Sequence, residues 1–512
     1  MEEERPSTVV LGIDGAHFEL IEPWMDAGDL PNLKRAVESG VTADLQSVLP
    51  PVTSPNWKAY LTGKNPGKFG IFWWENIDTA RESVYYPHDR KQVETEFWEL
   101  LAEEDRTGII NVPTTYPPKE HGKFAIAGAP DGKNHDYTYP KSLEEHLESE
   151  HEYGVTLENN VTVSPAEAAR EIHEKIDSRF TVALELMNEH SLSFLQVTTF
   201  YINTLHHYFW DHDYTRKGWK IVDDHLGKFL DEGYNVILMS DHGSTEIQTV
   251  FHVNTWLESQ GYLELDTGVA DLIHNMGINR ERILRVLSTL NMERIIDHVP
   301  QRVRNLVPNE QGELHRVSKA SNIDWEKSDA IASGQGPIYL NIEPGTERYD
   351  QVRKDLTKGL ESLTDPDGRP IARKVHKRED VYSGRFRDEA PDLVVEQADG
   401  VHIQGNIGRD DVFTNPHENG WVAENKRNGL FVATGPSFGS GKVAPLSILD
   451  LAPTILHLHS KSIPLDMDGE PRTDVFHTDS LPRQREPQFR EEDDRDREEE
   501  RIRTIVREAI LS

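Results

Sequence analysis

The sequence predicts an α/β protein in which a mostly parallel sheet is sandwiched by helices and interrupted by an inserted cap domain. Three observations predict it. Short apolar runs of strand length recur at residues 8–13, 108–112, 194–198, 235–239, 392–395 and 429–433, mostly with helical segments between them. Two of these runs lead into carboxylates, Asp14 and Asp241, at the strand ends where parallel sheets place their ligand-binding residues. The chain of 512 residues is also long enough for one large core plus an insertion.

The run at 8–13, TVVLGI, reads as a buried parallel strand that delivers Asp14, and residues 31–39 read as the helix after it. Residues 50–71, PPVTSPNWKAYLTGKNPGKFGI, carry the densest chemistry. Thr53 ends an extended, proline-rich approach. Ser54 then reads as the N-cap of a helix, with Pro55 at the first helical position, where its missing N–H costs nothing. Thr53 would stand beside the free N–H groups and positive dipole end of that helix, where a phosphate is stabilised. An ordinary capped helix after a proline turn fits the same residues.

Asp241-His242, after NVILMS, puts a carboxylate and an imidazole together at a strand end. That pair suits a borderline metal such as zinc, with Asp14 completing the shell, and a bound metal would lower the pKa of the Thr53 hydroxyl. An Asp capping a helix above a packed His is the bland alternative.

Between residues 252 and 384 the pattern loosens into charged helices at 280–292 and 349–362 and a hairpin at 334–342. The predicted organisation is therefore a core from 1–250, a cap or substrate-side region from 251–384, a second part of the core from 385–478, and a charged helical tail from 479–512. In that tail Ile502, Ile505, Val506 and Leu511 recur at helical spacing.

Composition removes several function classes. A formal charge of -34 argues against general nucleic-acid binding and against anionic membranes, which need a basic face. It fits an acidic, solvated surface such as a salt-rich cytoplasm selects. With no cysteine, disulfides, thiolate ligands and cysteine nucleophiles are excluded. No stretch reaches the roughly 18 uninterrupted apolar residues of a membrane span, and the start MEEERPSTVVLG has neither a basic beginning nor a long apolar run, so a cytoplasmic protein without a membrane partner is expected.

The order T-S-P-N-W, T-G, N-P-G-K-x-G-I at residues 53–71 resembles the nucleophile segment of the alkaline phosphatase superfamily, in its type I phosphodiesterase and nucleotide pyrophosphatase branch. Residues 447–456, SILDLAPTIL, resemble that superfamily's D-x-A-P-T helix, and Met467-Asp468-Gly469 its following D-G turn. The resemblance implies an alkaline phosphatase-like core and a hydrolase of phosphodiester or nucleotide pyrophosphate bonds. Thr53 would be the nucleophile that forms a phospho-enzyme intermediate. It further implies two divalent ions roughly 4 Å apart, taken as zinc, with manganese or magnesium accepted at the second.

The first ion would be held by Asp14, Thr53, Asp241 and His242. The second normally takes a D-x-x-x-H helix and a late His. Here His207 matches while Asn203 replaces the Asp, and His417 is the late candidate, preceding GLFVATGPSF at 429–438. In other branches the late ligand lies nearer the strand, where this chain has Asn425-Lys426. Asn76 and Trp74 are the implied substrate-binding residues: Asn76 as a displaced form of the family's phosphoryl-holding Asn, Trp74 as part of an aromatic trio with Phe72 and Trp73 that could wall the pocket.

Two neighbouring readings are excluded. The window lies in register with the sulfatase pattern C/S-x-P-x-R, but Thr53 and Trp57 replace its defining residues, and only three residues separate Gly63 from Gly67, too few for a P-loop. The expected partner is a phosphorylated small molecule or nucleotide, with the oligomeric state open. A phosphotransferase or phosphoglycerate-mutase-like enzyme on the same scaffold, and a non-catalytic phospholigand-binding relative, are the competing readings.

Overall fold

The computed structural model describes residues 6–92, 94–102, 106–266, 319–416 and 420–491. The expected helix at 280–292 and the tail residues Ile502 to Leu511 lie outside the described residues.

Ten strands form the main sheet. At its centre Thr8–Ile13 pairs in parallel with both Phe194–Thr199 and Asn235–Met239. Thr107–Val112 and Phe124–Ala127 continue the parallel set, and Thr138–Tyr139 closes that side in antiparallel. On the other side Asn428–Thr434 runs antiparallel between Asn235–Met239 and Val41–Gln46. Two short segments, Gly441–Lys442 and Leu446–Ser447, lie parallel to Val41–Gln46.

Side-chain alternation explains why TVVLGI is apolar throughout. Val9, Leu11 and Ile13 enter one helix-covered layer and Val10 the other, so both faces of the strand are buried. Each fully buried Val, Leu or Ile contributes about 1.5–3 kcal/mol. Helices Pro31–Ser39, Pro165–Glu189 and Asp213–Asp231 cover the first layer; Thr53–Thr62 and Leu451–Leu458 cover the second.

All ten residues of Thr53–Thr62 are buried. Its one internal cation, Lys58, is fully buried against Glu96 at 2.6 Å, with the Lys91 carbonyl as a further acceptor. A buried ammonium is tolerable only with such compensation.

A second, antiparallel sheet orders Ala330–Ala332, Pro337–Leu340, Leu393–Gln397 and Ala372–Lys377, backed by the helix Glu347–Glu361. The first two strands form a hairpin, of which the expected span 334–342 takes in the turn and the second strand but not Ala330–Ala332. The run at 392–395, read as a core strand, belongs to this sheet instead. A short apolar run reports burial without reporting which sheet buries it. The second sheet therefore draws strands from both sides of residue 384, and the chain re-enters the main sheet at Asn428–Thr434. Among the described residues no helix is long and apolar enough to cross a membrane.

Candidate active site

Three elements converge at the carboxyl end of the central strands. Thr8–Ile13 leads directly into Asp14, Asn235–Met239 leads through Ser240 into Asp241 and His242, and the helix Thr53–Thr62 begins with Thr53. Thr53 Oγ1 lies 3.5 Å from Asp14 Oδ1 and 3.3 Å from His242 Nε2. His242 Nε2 is 3.6 Å from Asp14 Oδ1 and 3.3 Å from Asp241 Oδ2. Among the described residues Asp14, Asp241 and His242 are the one group of three or more His, Asp or Glu whose ligand atoms lie close enough to surround an ion, all within 4.8 Å of one another.

Each side chain is held by its surroundings. The backbone N–H of Gly15 donates to Asp241 Oδ1 at 3.2 Å. Gly15 adopts φ +70°, and a Cβ there would collide with Asn203 Oδ1, so this position needs glycine on two counts. His242 Nδ1 sits 2.9 Å from its neighbour's carbonyl, Gly243 O, which directs the lone pair of Nε2 at the two carboxylates. The indole N–H of Trp57 donates to Asp14 Oδ2 at 2.7 Å.

Thr53 and Trp57 are four residues apart on one helix face, so a single helix engages both oxygens of Asp14. Asn56 ties down the approach to Thr53. Its amide donates to Pro50 O at 3.0 Å and Val52 O at 2.9 Å and accepts from Val48 N–H at 2.8 Å.

The helix starts two residues earlier than the sequence suggested. Val52 keeps the extended backbone of the proline approach (φ −125°, ψ 141°), Thr53 is already helical, and no side chain caps the helix. Ser54 is therefore a first-turn residue and not the N-cap. The correction brings Thr53 nearer the dipole end, because its own N–H and that of Ser54 are among those with no acceptor inside the helix.

Burial makes negative charge costly here. Burial, reinforced by Asp241, pushes the Asp14 carboxyl well above the usual carboxylate range. Burial likewise pushes Asp241 up to about 8 and the His242 imidazole down. Asp241 Oδ2 is buried without a hydrogen-bond partner. Two adjacent carboxylates, a properly oriented imidazole nitrogen and an orphaned oxygen fit a divalent ion of the zinc type.

A model of the type I phosphodiesterase / nucleotide pyrophosphatase family matches residues 8–425, more than four-fifths of the chain and all of the residues just described. The chain belongs to that family. It is thus a hydrolase acting on phosphoric ester bonds, within the alkaline phosphatase superfamily, in a family that acts on phosphorylated small molecules or nucleotides. No curated protein matches the chain.

The second half of a family site is built differently. Asn203 and His207 lie on the helix Tyr201–Phe209, both buried. His207 Nδ1 donates to the Ala423 carbonyl at 2.7 Å, its ring stacks 3.9 Å from Trp421, and burial lowers its pKa to about 4. Asn203 Oδ1 has no partner. Neighbouring His206 has both ring nitrogens engaged, by Gly15 O and Ser244 Oγ on one side and by the Trp219 indole on the other, which marks it as a packing residue. Among the described residues no carboxylate joins Asn203 and His207 in a group comparable to the first, although Glu424 is near enough to His207 to raise its pKa against the effect of burial. The late candidate His417 lies outside the described residues.

Asn76 is not available to a phosphoryl group. It is fully buried, its amide donates to Gly70 O at 3.0 Å and approaches Tyr85 Oη at 3.4 Å, and its oxygen lies 3.4 Å from Phe72 N. Those bonds close the loop that carries Phe72, Trp73 and Trp74. Phe72 is buried against Tyr382. Trp73 and Trp74 stay half-buried, and Trp73 Nε1 donates to Gln335 Oε1 at 3.0 Å.

Gln335 in turn donates to Glu424 Oε1 at 2.7 Å, and Glu424 also receives Asn425 N–H at 2.6 Å and His402 Nδ1. Burial alone would raise Glu424, but the His402 imidazole beside it holds its pKa below the usual value. This link from the cap hairpin to the strand beside His207 escaped sequence reasoning. The polar run Glu424-Asn425-Lys426 is buried where Ala423–Lys426 pairs with Gly243–Glu246.

Proposed function

We propose that this chain cleaves phosphodiester or pyrophosphate bonds by attack of Thr53 Oγ1 on phosphorus, forming a covalent phospho-threonine that water then hydrolyses. The carrying observation is the position of the Thr53 hydroxyl, within 3.5 Å of both Asp14 Oδ1 and His242 Nε2 and at the start of a helix. A divalent ion bound by Asp14, Asp241 and His242 would lower the pKa of that hydroxyl and neutralise charge on the phosphoryl oxygens. The first free N–H groups of the helix face the same charge. Trp57 orients Asp14, and Asn56 fixes the segment that presents Thr53.

Zinc is the proposed resident ion, because one imidazole and two carboxylates match its donor preference. The expected second ion stays in this reading as the weaker one, since Asn203 and His207 bring no negative charge. An acidic, cysteine-free composition supports a cytoplasmic setting. The test is a comparison of Thr53→Ala and Thr53→Ser against bis-nitrophenyl phosphate, with the metal content of each variant measured. Retained turnover in a folded, metal-loaded Thr53→Ala would end the proposal, and product transferred to an added alcohol rather than to water would favour the phosphotransferase alternative.

A further inference from the structure

The helix Thr53–Thr62 is held from two sides. On one side Thr53 and Trp57 reach the two oxygens of Asp14. Lys58 comes next in the chain and, at 100° per residue, lies about 140° round the helix from Thr53. It is fully buried, and its ammonium donates to Glu96 Oε1 at 2.6 Å and to the Lys91 carbonyl. Glu96 is fixed in turn. Its Oε2 accepts the Trp98 indole N–H at 2.5 Å, and its backbone N–H donates to Glu99 Oε1 at 2.8 Å. Just past the far end of the helix, Lys64 pairs with Glu94 at 2.7 Å and Asp466 at 2.5 Å.

Burial of the helix does not require the Lys58 pair. Trp57, Ala59, Tyr60 and Leu61 are all fully buried, and the Tyr60 ring packs edge-on against Phe97, next to Glu96, with 5.3 Å between centroids. Replacing a buried ion pair by neutral groups of similar volume is often neutral for stability or stabilising, whereas separating the two charges is strongly unfavourable. What the pair adds is direction, because apolar burial is non-directional and leaves the rotation of a helix about its axis weakly set. A rotation of about 15° carries a side-chain oxygen about 4 Å from the axis through about 1 Å. The same rotation draws Lys58 away from its acceptors. A 1 Å misplacement of a reacting group costs about 10²-fold in rate.

We propose that Lys58 and Glu96 are positioning residues for the attack of Thr53: their buried ion pair sets the rotation of the helix so that the hydroxyl meets phosphorus in line. This inference rests on the Thr53 reading above. The pair acts from the side of the helix away from Asp14, and its charged ends meet each other rather than the Asp14, Asp241 and His242 group.

The test is the neutral pair Lys58→Met/Glu96→Gln in the full chain, zinc-loaded and assayed on bis-nitrophenyl phosphate. The first-turnover rate of nitrophenolate release should fall about 10–100-fold, while the substrate concentration giving half that rate stays within about threefold of wild type. Zinc content should be unchanged and Tm close to that of the wild type. Glu96→Asp keeps both charges but withdraws the carboxylate by one methylene, and should give a smaller fall in the same rate. A merely structural pair would move Tm and leave the rate of the folded protein alone.

A wild-type first-turnover rate in the folded neutral pair would overturn the proposal, as would a fall explained by lost zinc. Should the neutral pair not fold, Glu96→Asp decides, and an unchanged rate there refutes it. Thr53→Ala separates this inference from the reading beneath it. Turnover retained in Thr53→Ala ends the nucleophile assignment, whereas turnover lost there together with a wild-type rate in the neutral pair ends only the positioning role.

Discussion

Trp57→Phe isolates one hydrogen bond at the centre of the site. The substitution keeps a large ring in the fully buried position and removes the N–H that donates to Asp14 Oδ2 at 2.7 Å. A hydrogen bond to a charged group contributes about 1.5–3 kcal/mol. Losing a partner that orients a metal ligand typically lowers metal affinity about 10–100-fold, equivalent to about 1.4–2.7 kcal/mol, so two independent lines give the same size. Zinc affinity measured by competition with a chelator should fall by that factor, and saturating zinc should restore most of the turnover, because Thr53 itself is untouched. Calorimetry of the metal-free protein separates packing from positioning: a packing defect lowers Tm equally with and without zinc, whereas a positioning defect is larger in the zinc form. Unchanged zinc affinity in a folded Trp57→Phe protein would refute the claim that the indole sets Asp14.

Thr53→Ala should abolish turnover while Ser54→Ala retains most of it, since Ser54 provides no cap in this helix; equal losses in two folded variants would contradict the nucleophile assignment. Bis-nitrophenyl phosphate should be hydrolysed faster than nitrophenyl phosphate, because no arginine stands at the register where a sulfatase-like clamp would hold a dianion, and a clear monoester preference would count against the diesterase reading. Glu396 is held by His376 on the neighbouring strand at 2.8 Å and joins the second sheet to the core through Arg427 at 3.2 Å, and the His376 hydrogen bond leads in lowering its pKa from 4.5 to about 2. A depressed carboxyl pKa stabilises the fold above the unfolded value and loses that effect as pH falls towards 2. Glu396→Gln should therefore cost up to about 3 kcal/mol at pH 7 and much less near pH 2, read as Tm against pH.

The Asp14, Asp241 and His242 cluster was legible because its members sit where two unmistakable strands end. TVVLGI and NVILM are buried on both faces, and their carboxyl ends meet by parallel pairing alone, so Asp14, Asp241 and His242 needed no further tertiary information. Thr53 was legible from its proline approach, although the helix cap was misplaced by two residues. What stayed hidden depends on pairings between distant segments. Leu393–Gln397 has the same apolar character as a core strand, and only its partners Pro337–Leu340 and Ala372–Lys377 assign it to the second sheet. Nothing in the sequence marks Glu424 as buried; its burial follows from the pairing of Ala423–Lys426 with Gly243–Glu246. Asn76 has the residue type the family uses, but its amide closes a loop instead.

The central claim is that Thr53 carries the phosphoryl group during turnover. The most direct measurement is acid quenching of the zinc-loaded enzyme within one turnover of a bis-nitrophenyl phosphate reaction, followed by peptide mapping by mass spectrometry. The account predicts a nitrophenyl phosphate adduct on Thr53, absent from Thr53→Ala. An adduct on another residue, or steady turnover with Thr53 unmodified at every quench time, would contradict it.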